Sequence, residues 1–138
     1  MNAEVFARVT HAVIDEAAVR AAASAPQNGA VVVFHGIIRN HDSDRGVMRL
    51  EYSAHPDAEQ FLARLVAAEQ DASGLKLAAA HRLGTLRVGD VALVAAAGAA
   101  HRKEAFWGIE RLVERIKAEV PIWKRQYFVD GESSWVGL

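Results

Sequence analysis

The residues of this 138-residue chain best placed to do chemistry are cations, and the most informative of them lie between positions 101 and 125. Periodicity predicts a helix over His101 to Glu119. At about 100° per residue, Ala105, Phe106, Ile109, Leu112, Val113 and Ile116 form one apolar arc along it. Arg102 projects into the middle of that arc, with His101 and Lys117 at its two edges. Glu104, Arg111, Arg115 and Glu119 fall largely outside it. A cation on an inward face needs an anion, a partner or a route to solvent. Taken singly, Arg102 and Lys117 read as helix-end side chains that snorkel outward. Taken with His101, they favour an anion site, because the start of a helix also offers free N–H groups.

The segment Val120-Pro121-Ile122-Trp123-Lys124-Arg125 follows at once. It carries Lys124 across a proline that forces a change of direction, so the chain can bring Lys124 back toward Lys117. Two lysines held close lower each other's pKa, which is one way to make a neutral nucleophilic or general-base amine. A solvated basic strand end accounts for the same spacing. Arg39, at the end of a predicted strand, fits either an anion ligand or an ordinary surface arginine.

Other constellations carry less. Asn40, Asp42, Asp44 and Glu51 imitate part of a calcium loop, but Arg45 holds the position that requires glycine. The six histidines show no paired ligand spacing, so no metal site is expected. His81-Arg82 lies on a predicted strand and reads as structural. There is no phosphate-binding glycine loop, nucleophile elbow or aromatic-basic RNA motif.

The elements that must position these residues follow from pattern. Val5 to Val9 is a short strand, and Asp15 caps a helix running to about Ser24. Gly29 to Arg39 is β-branched and reads as a strand, with Gly36 marking a bulge or close approach. Asn40 to Gly46 is expected as a loop, and Val47 to Ser53 as a strand. Pro56 is expected to open a helix whose buried face is Ala58, Phe61, Leu62, Leu65 and Val66, stopped by Gly74. Leu75 to Arg82 and Val91 to Ala97 are strands around a glycine-bearing turn. The second is apolar throughout, as a strand covered on both faces must be. Ile122 to Val129 is the last predicted strand. Strands interleaved with about three helices point to α+β architecture: one two-layer domain over residues 1–138 with a mixed or antiparallel sheet.

Composition bounds the partners. Apolar residues make up 51% and charged residues 24%, which is globular, and the net charge of −1 gives no general pull toward nucleic acid or anionic membrane. The opening residues lack the layout of a signal peptide, so a cytoplasmic protein is expected. Cysteine is absent. Disulfides, thiolate metal sites and cysteine nucleophiles are thereby excluded, and any sulfur chemistry must use sulfur supplied by another molecule.

Several stretches, in order and spacing, resemble the large subunit of molybdopterin synthase over nearly the whole chain. They are Gly29 to Asn40, Leu50-Glu51-Tyr52, His81-Arg82-Leu83-Gly84, Val88-Gly89-Asp90, His101-Arg102 with Ala105-Phe106, Val120 to Lys124, Asp130-Gly131 and Trp135-Val136. The resemblance implies an α/β hammerhead-like fold and conversion of a cyclic pyranopterin monophosphate into molybdopterin by building its dithiolene. It implies a partner, a small ubiquitin-like sulfur carrier whose C-terminal glycine bears a thiocarboxylate, and a heterotetramer with a large-subunit homodimer at its centre. No resident cofactor is implied. By motif, Lys117 and Lys124 become the catalytic lysines; Arg39, His101 and Arg102 hold the substrate and its phosphate, with Arg125 and Gln126 nearby. Arginine suits the phosphate through its planar fork, and lysine suits proton transfer or a transient covalent bond. The chain departs from the family pattern at Ala99, where a serine and hence a helix cap is usual, and over Ser53 to Pro56. A non-catalytic anion-binding module and a scaffold for a ubiquitin-like protein are the rival readings. Loss of both lysines would leave ligand or partner binding intact in those cases.

Overall fold

The structure, a computed structural model, describes residues 4–138. Its first sheet has four strands in the order β1 (Phe6–Thr10), β5 (Lys76–Arg82), β7 (Val91–Ala99) and β2 (Ala30–Ile37). β1 runs parallel to β5, and the other pairs are antiparallel. Strand alternation in β5 and β7 divides the core. Leu77, Ala79, Ala95 and Ala97 face helices α2 (Ala58–Ser73) and α3 (Arg102–Glu119). Ala78, Ala80, Val94 and Ala96 face α1 (Glu16–Ala22), with Val19 and Ala23. The expectation that Val91 to Ala97 is covered on both faces therefore holds, and α1 adds a helical layer beyond a simple two-layer stack. Small residues make this possible. A Cβ at Gly98 would stand 1.8 Å from the Ala23 carbonyl oxygen, so α1 packs where only glycine fits.

The remaining strands form a second sheet in the order β3 (His41–Asp42), β4 (Arg45–Ala54), β8 (Ile122–Phe128) and β9 (Ser133–Gly137), with β6 (Gly84–Arg87) paired to β4. The α+β class with three helices stands, and the strands divide between two sheets. Asn40 to Gly46 is a tight hairpin rather than a loop. Ser43 and Asp44 both have positive φ (50° and 65°), as a two-residue turn between twisted strands demands, and Asp tolerates that region. Residues 84–87, expected within a turn, form a strand because Leu86 is fully buried opposite Leu50.

Helix boundaries follow local chemistry. The Asp15 carboxylate accepts from the Ala18 N–H at 3.1 Å, capping α1 as expected. α2 starts two residues after Pro56, with Asp57 at the cap, and ends at Gly74 in the left-handed region. Ala58, Leu62, Leu65 and Val66 are buried, whereas Phe61 is exposed. Across the α2–α3 contact, buried Glu69 accepts from Arg111 Nε at 2.8 Å and from Arg115 Nη1 at 2.7 Å. These arginines lie off the apolar arc of α3, as expected, and their partner comes from the neighbouring helix. Among the described residues, no helix is long and apolar enough to cross a membrane.

Candidate active site

Where the two sheets meet, a cavity of about 240 Å³ opens at the end of β2 and beside the C-terminus of α3. Four of the residues singled out from the sequence line it together: Arg39, Lys117, Lys124 and Gln126. Lys117 stands in the last turn of α3, where a cation also complements the helix dipole. Val120 leaves the helix in extended conformation, and Pro121 cannot continue it. The chain then returns as β8, antiparallel to β4, with Lys124 opposite Tyr52 and Gln126 opposite Leu50. Proline and strand register together put Lys124 beside the helix end that carries Lys117.

Burial pushes the Lys124 amine below the ordinary lysine range, and the neighbouring Lys117 charge adds to it. The Asp42 carboxylate works in the opposite direction, while Arg39 again favours the neutral amine. Asp42 comes from the β3–β4 hairpin, where it pairs with Arg45. It lies 3.8 Å from Arg39 Nη2, a contact of two largely exposed side chains that carries little stability. Arg39 is extended from the chain just after β2, whose register shifts between Gly36 and Ile37. That irregularity is the bulge expected at Gly36, and it re-aims the end of the strand.

Three other residues lie elsewhere. Arg125 is not among the cavity-lining residues. Side chains alternate along β8, so Lys124 and Gln126 turn inward while Arg125 turns to the opposite face. There its guanidinium donates to Ser133 at 3.0 Å and lies 5.6 Å from the centre of the Trp135 ring. Arg125 lies on the strand that carries Lys124 and Gln126, but its side chain points away from the pocket. His101 and Arg102 stand at the opposite end of α3 and do not line the cavity either. His101 is the cap residue of α3 and makes no capping bond through its side chain. The capping position thus falls two residues after Ala99, and the first turn is left without a side-chain cap. Arg102 is exposed rather than inward. The buried face of α3 includes Gly108, packed against Leu75, and this turns the face away from Phe106, which is 60% exposed.

Sequence reasoning missed three cavity residues besides Asp42. Tyr52 and His81 are buried in its wall, and His41 lies at its edge. Alternation along Leu50-Glu51-Tyr52 would have turned Tyr52 inward. His81 gave a signal only as part of His81-Arg82-Leu83-Gly84, which pattern alone reads as strand. Among the described residues no group of three or more His, Asp or Glu side chains could hold a metal ion.

Fold and site together define an α+β protein with a lysine-bearing, cationic cavity suited to an anionic small molecule. The family model described as MoaE protein matches residues 9–119. The chain is 38% identical over 134 residues to molybdopterin synthase catalytic subunit 1 of Mycobacterium tuberculosis, covering 96% of this chain and 90% of that relative. It is 41% identical over 111 residues to the molybdopterin synthase catalytic subunit of Bacillus subtilis, covering 79% and 70%. The crystal structure of molybdopterin synthase from Staphylococcus aureus has the same fold, with a TM-score of 0.86 and 34% identity over 99% of this chain and 100% of that one. The chain belongs to the MoaE protein family.

Proposed function

We propose that this chain is the catalytic subunit of a cytoplasmic molybdopterin synthase, converting a cyclic pyranopterin monophosphate to molybdopterin with sulfur from a small ubiquitin-like partner. The observation that carries the reading is the convergence of Lys117, Lys124 and Arg39 on one cavity in a chain without cysteine. The names of the relatives support it, and a protein named a catalytic subunit implies a further subunit. A dithiolene holds two sulfurs, so two thiocarboxylates are consumed. Each acyl carbon–sulfur bond breaks as sulfur bonds to the pterin side chain. The acyl carbon takes an oxygen from water or from the side-chain carbon that receives the sulfur, leaving a carboxylate. Lys124, whose burial favours the free amine, is placed to accept a proton or attack the acyl carbon; Lys117 stays beside it as the second amine. Arg39 takes negative charge at the exposed side. His101 and Arg102, too far along α3 to reach the same cavity, serve the cavity of a second large subunit, where the uncapped helix start adds N–H donors for phosphate. Arg125 acts indirectly, by bracing β8 against β9 through Ser133.

The test is incubation with the pyranopterin and the partner in two forms. Dithiolene product is expected with the thiocarboxylated partner and not with its plain carboxylate. Product from the isolated chain with no sulfur donor would refute the reading.

A further inference from the structure

The end of α3 that carries Lys117 is held by charge as well as by apolar packing. Helix ends fray, because their last carbonyls lack intrahelical donors. α3 closes on Val120 in extended conformation, without a left-handed glycine cap. Ile116 and Val120 are buried and anchor the last turn from the core. Beside them Arg115 reaches along the helix to Glu119, its Nε donating to Oε2 at 2.6 Å and its Nη2 to Oε1 at 2.9 Å. Its third nitrogen, Nη1, donates across to Oε1 of Glu69 on α2 at 2.7 Å. One planar guanidinium thus spans the turn from 115 to 119 and ties it to the neighbouring helix. Glu69 is 2% exposed and is held a second time, by Arg111 Nε at 2.8 Å. α2 is itself fixed there, since the side chain of Gln70 accepts from the Leu77 N–H of β5 at 3.1 Å.

Stability alone is a poor reason for this arrangement. An exposed pair four residues apart on a helix contributes little. A well-packed apolar side chain at position 69 would avoid the cost of burying a carboxylate. What apolar packing does not supply is direction, because forked hydrogen bonds fix the rotation and register of one helix on another. Lys117 lies within the spanned turn, two residues beyond Arg115 and so about 200° around the axis. Arg115 therefore faces α2 while Lys117 faces the cavity. We propose that Glu69, Arg115 and Glu119 form a clamp that fixes where Lys117 stands relative to Lys124. They touch no substrate and are positioning residues, and the inference rests on the catalytic role given to the two lysines above.

The test uses Arg115→Leu, in which Glu69 keeps Arg111, and Glu119→Gln, which breaks only the surface half of the fork. Steady-state kinetics with the pyranopterin monophosphate and thiocarboxylated partner should show kcat lowered about tenfold with KM within about twofold, since a misplacement of about 1 Å can cost about a hundredfold in rate. The second readout needs no turnover. Burial holds the Lys124 pKa down, the Lys117 charge adds to this, Asp42 opposes it and Arg39 assists it. Tyr52 and His81 complete the wall that Lys124 faces. Displacing Lys117 removes its share, so the NMR titration of Lys124, in protein labelled with carbon-13 at lysine Cε, should move up in both variants. A merely structural network lowers the melting temperature and leaves kcat and that titration at parental values. Parental kcat or an unmoved Lys124 titration in folded Arg115→Leu overturns the inference, and Glu119→Gln decides by itself if Arg115→Leu does not fold. No product from the parental protein with thiocarboxylated partner overturns the proposed function, and the Lys124 titration then decides the clamp alone.

Discussion

Mixing two inactive variants should restore activity, because one chain cannot present all its cations to one substrate. Arg102 and Lys117 stand 15 positions apart (117 − 102) on α3, about 22 Å along the axis at about 1.5 Å per residue. The cavity beside Lys117 holds about 240 Å³, which is about 8 Å across if rounded, the scale of one small ligand. A residue about 22 Å away lies outside it, so a site that uses both must take Arg102 from a second subunit. A two-fold axis then gives two equivalent composite sites. Arg102→Ala and Lys117→Ala chains, each inactive alone, are mixed in equal amounts with the sulfur carrier. Random pairing makes about half the dimers mixed, and each mixed dimer has one intact and one doubly damaged site. The expected turnover is about a quarter of parental. Subunit exchange is verified by mass spectrometry of differently tagged chains. An inactive mixture with exchange proven would refute the shared site.

Lys117→Ala and Lys124→Ala should each lower kcat by on the order of a hundredfold while changing stability by only about 0.5 kcal/mol; near-parental turnover in normally melting variants would remove the lysine assignment. Glu69→Ala should destabilise the fold by about 2 kcal/mol, because it removes the buried carboxylate shared by Arg111 and Arg115 at the α2–α3 contact while both guanidinium groups keep access to water. Urea unfolding reads this directly, and a loss under about 1 kcal/mol would show the pair to be dispensable. Burial pushes the His81 pKa down to about 4, below the unfolded value of about 6.5, so the unfolded chain binds a proton first as pH falls. Its contribution is neutral above about pH 6.5 and turns unfavourable between there and about pH 4, reaching about 3 kcal/mol. An imidazole NMR titration of His81 with a midpoint near 6.5 would contradict this.

Local pattern determined most of the elements and named several candidate site residues without placing them. The alternation-free apolar run of β7, the Asp15 cap of α1, the Gly74 stop of α2 and the periodicity of α3 follow from single-residue chemistry, so they were legible without coordinates. The spacing of Lys117 and Lys124 across Pro121 fitted either convergence or a solvated basic strand end, and only the pairing of β8 with β4 decided between them. Facing and pairing were not legible. Arg125 follows Lys124 directly in sequence, yet strand alternation sends it to the opposite face of the sheet. The short segment at Leu86 is a strand only because β4 is there to pair with it. Phe106 looked inward until Gly108, packed against Leu75, turned the buried face of α3 away from it. His81 read as structure because nothing in its neighbours along the chain shows what lies across the cavity. Its burial and its bond to Arg82 exist only once β4, β5 and the end of α3 have met, for hydrogen bonds and desolvation are set by neighbours in space rather than in sequence.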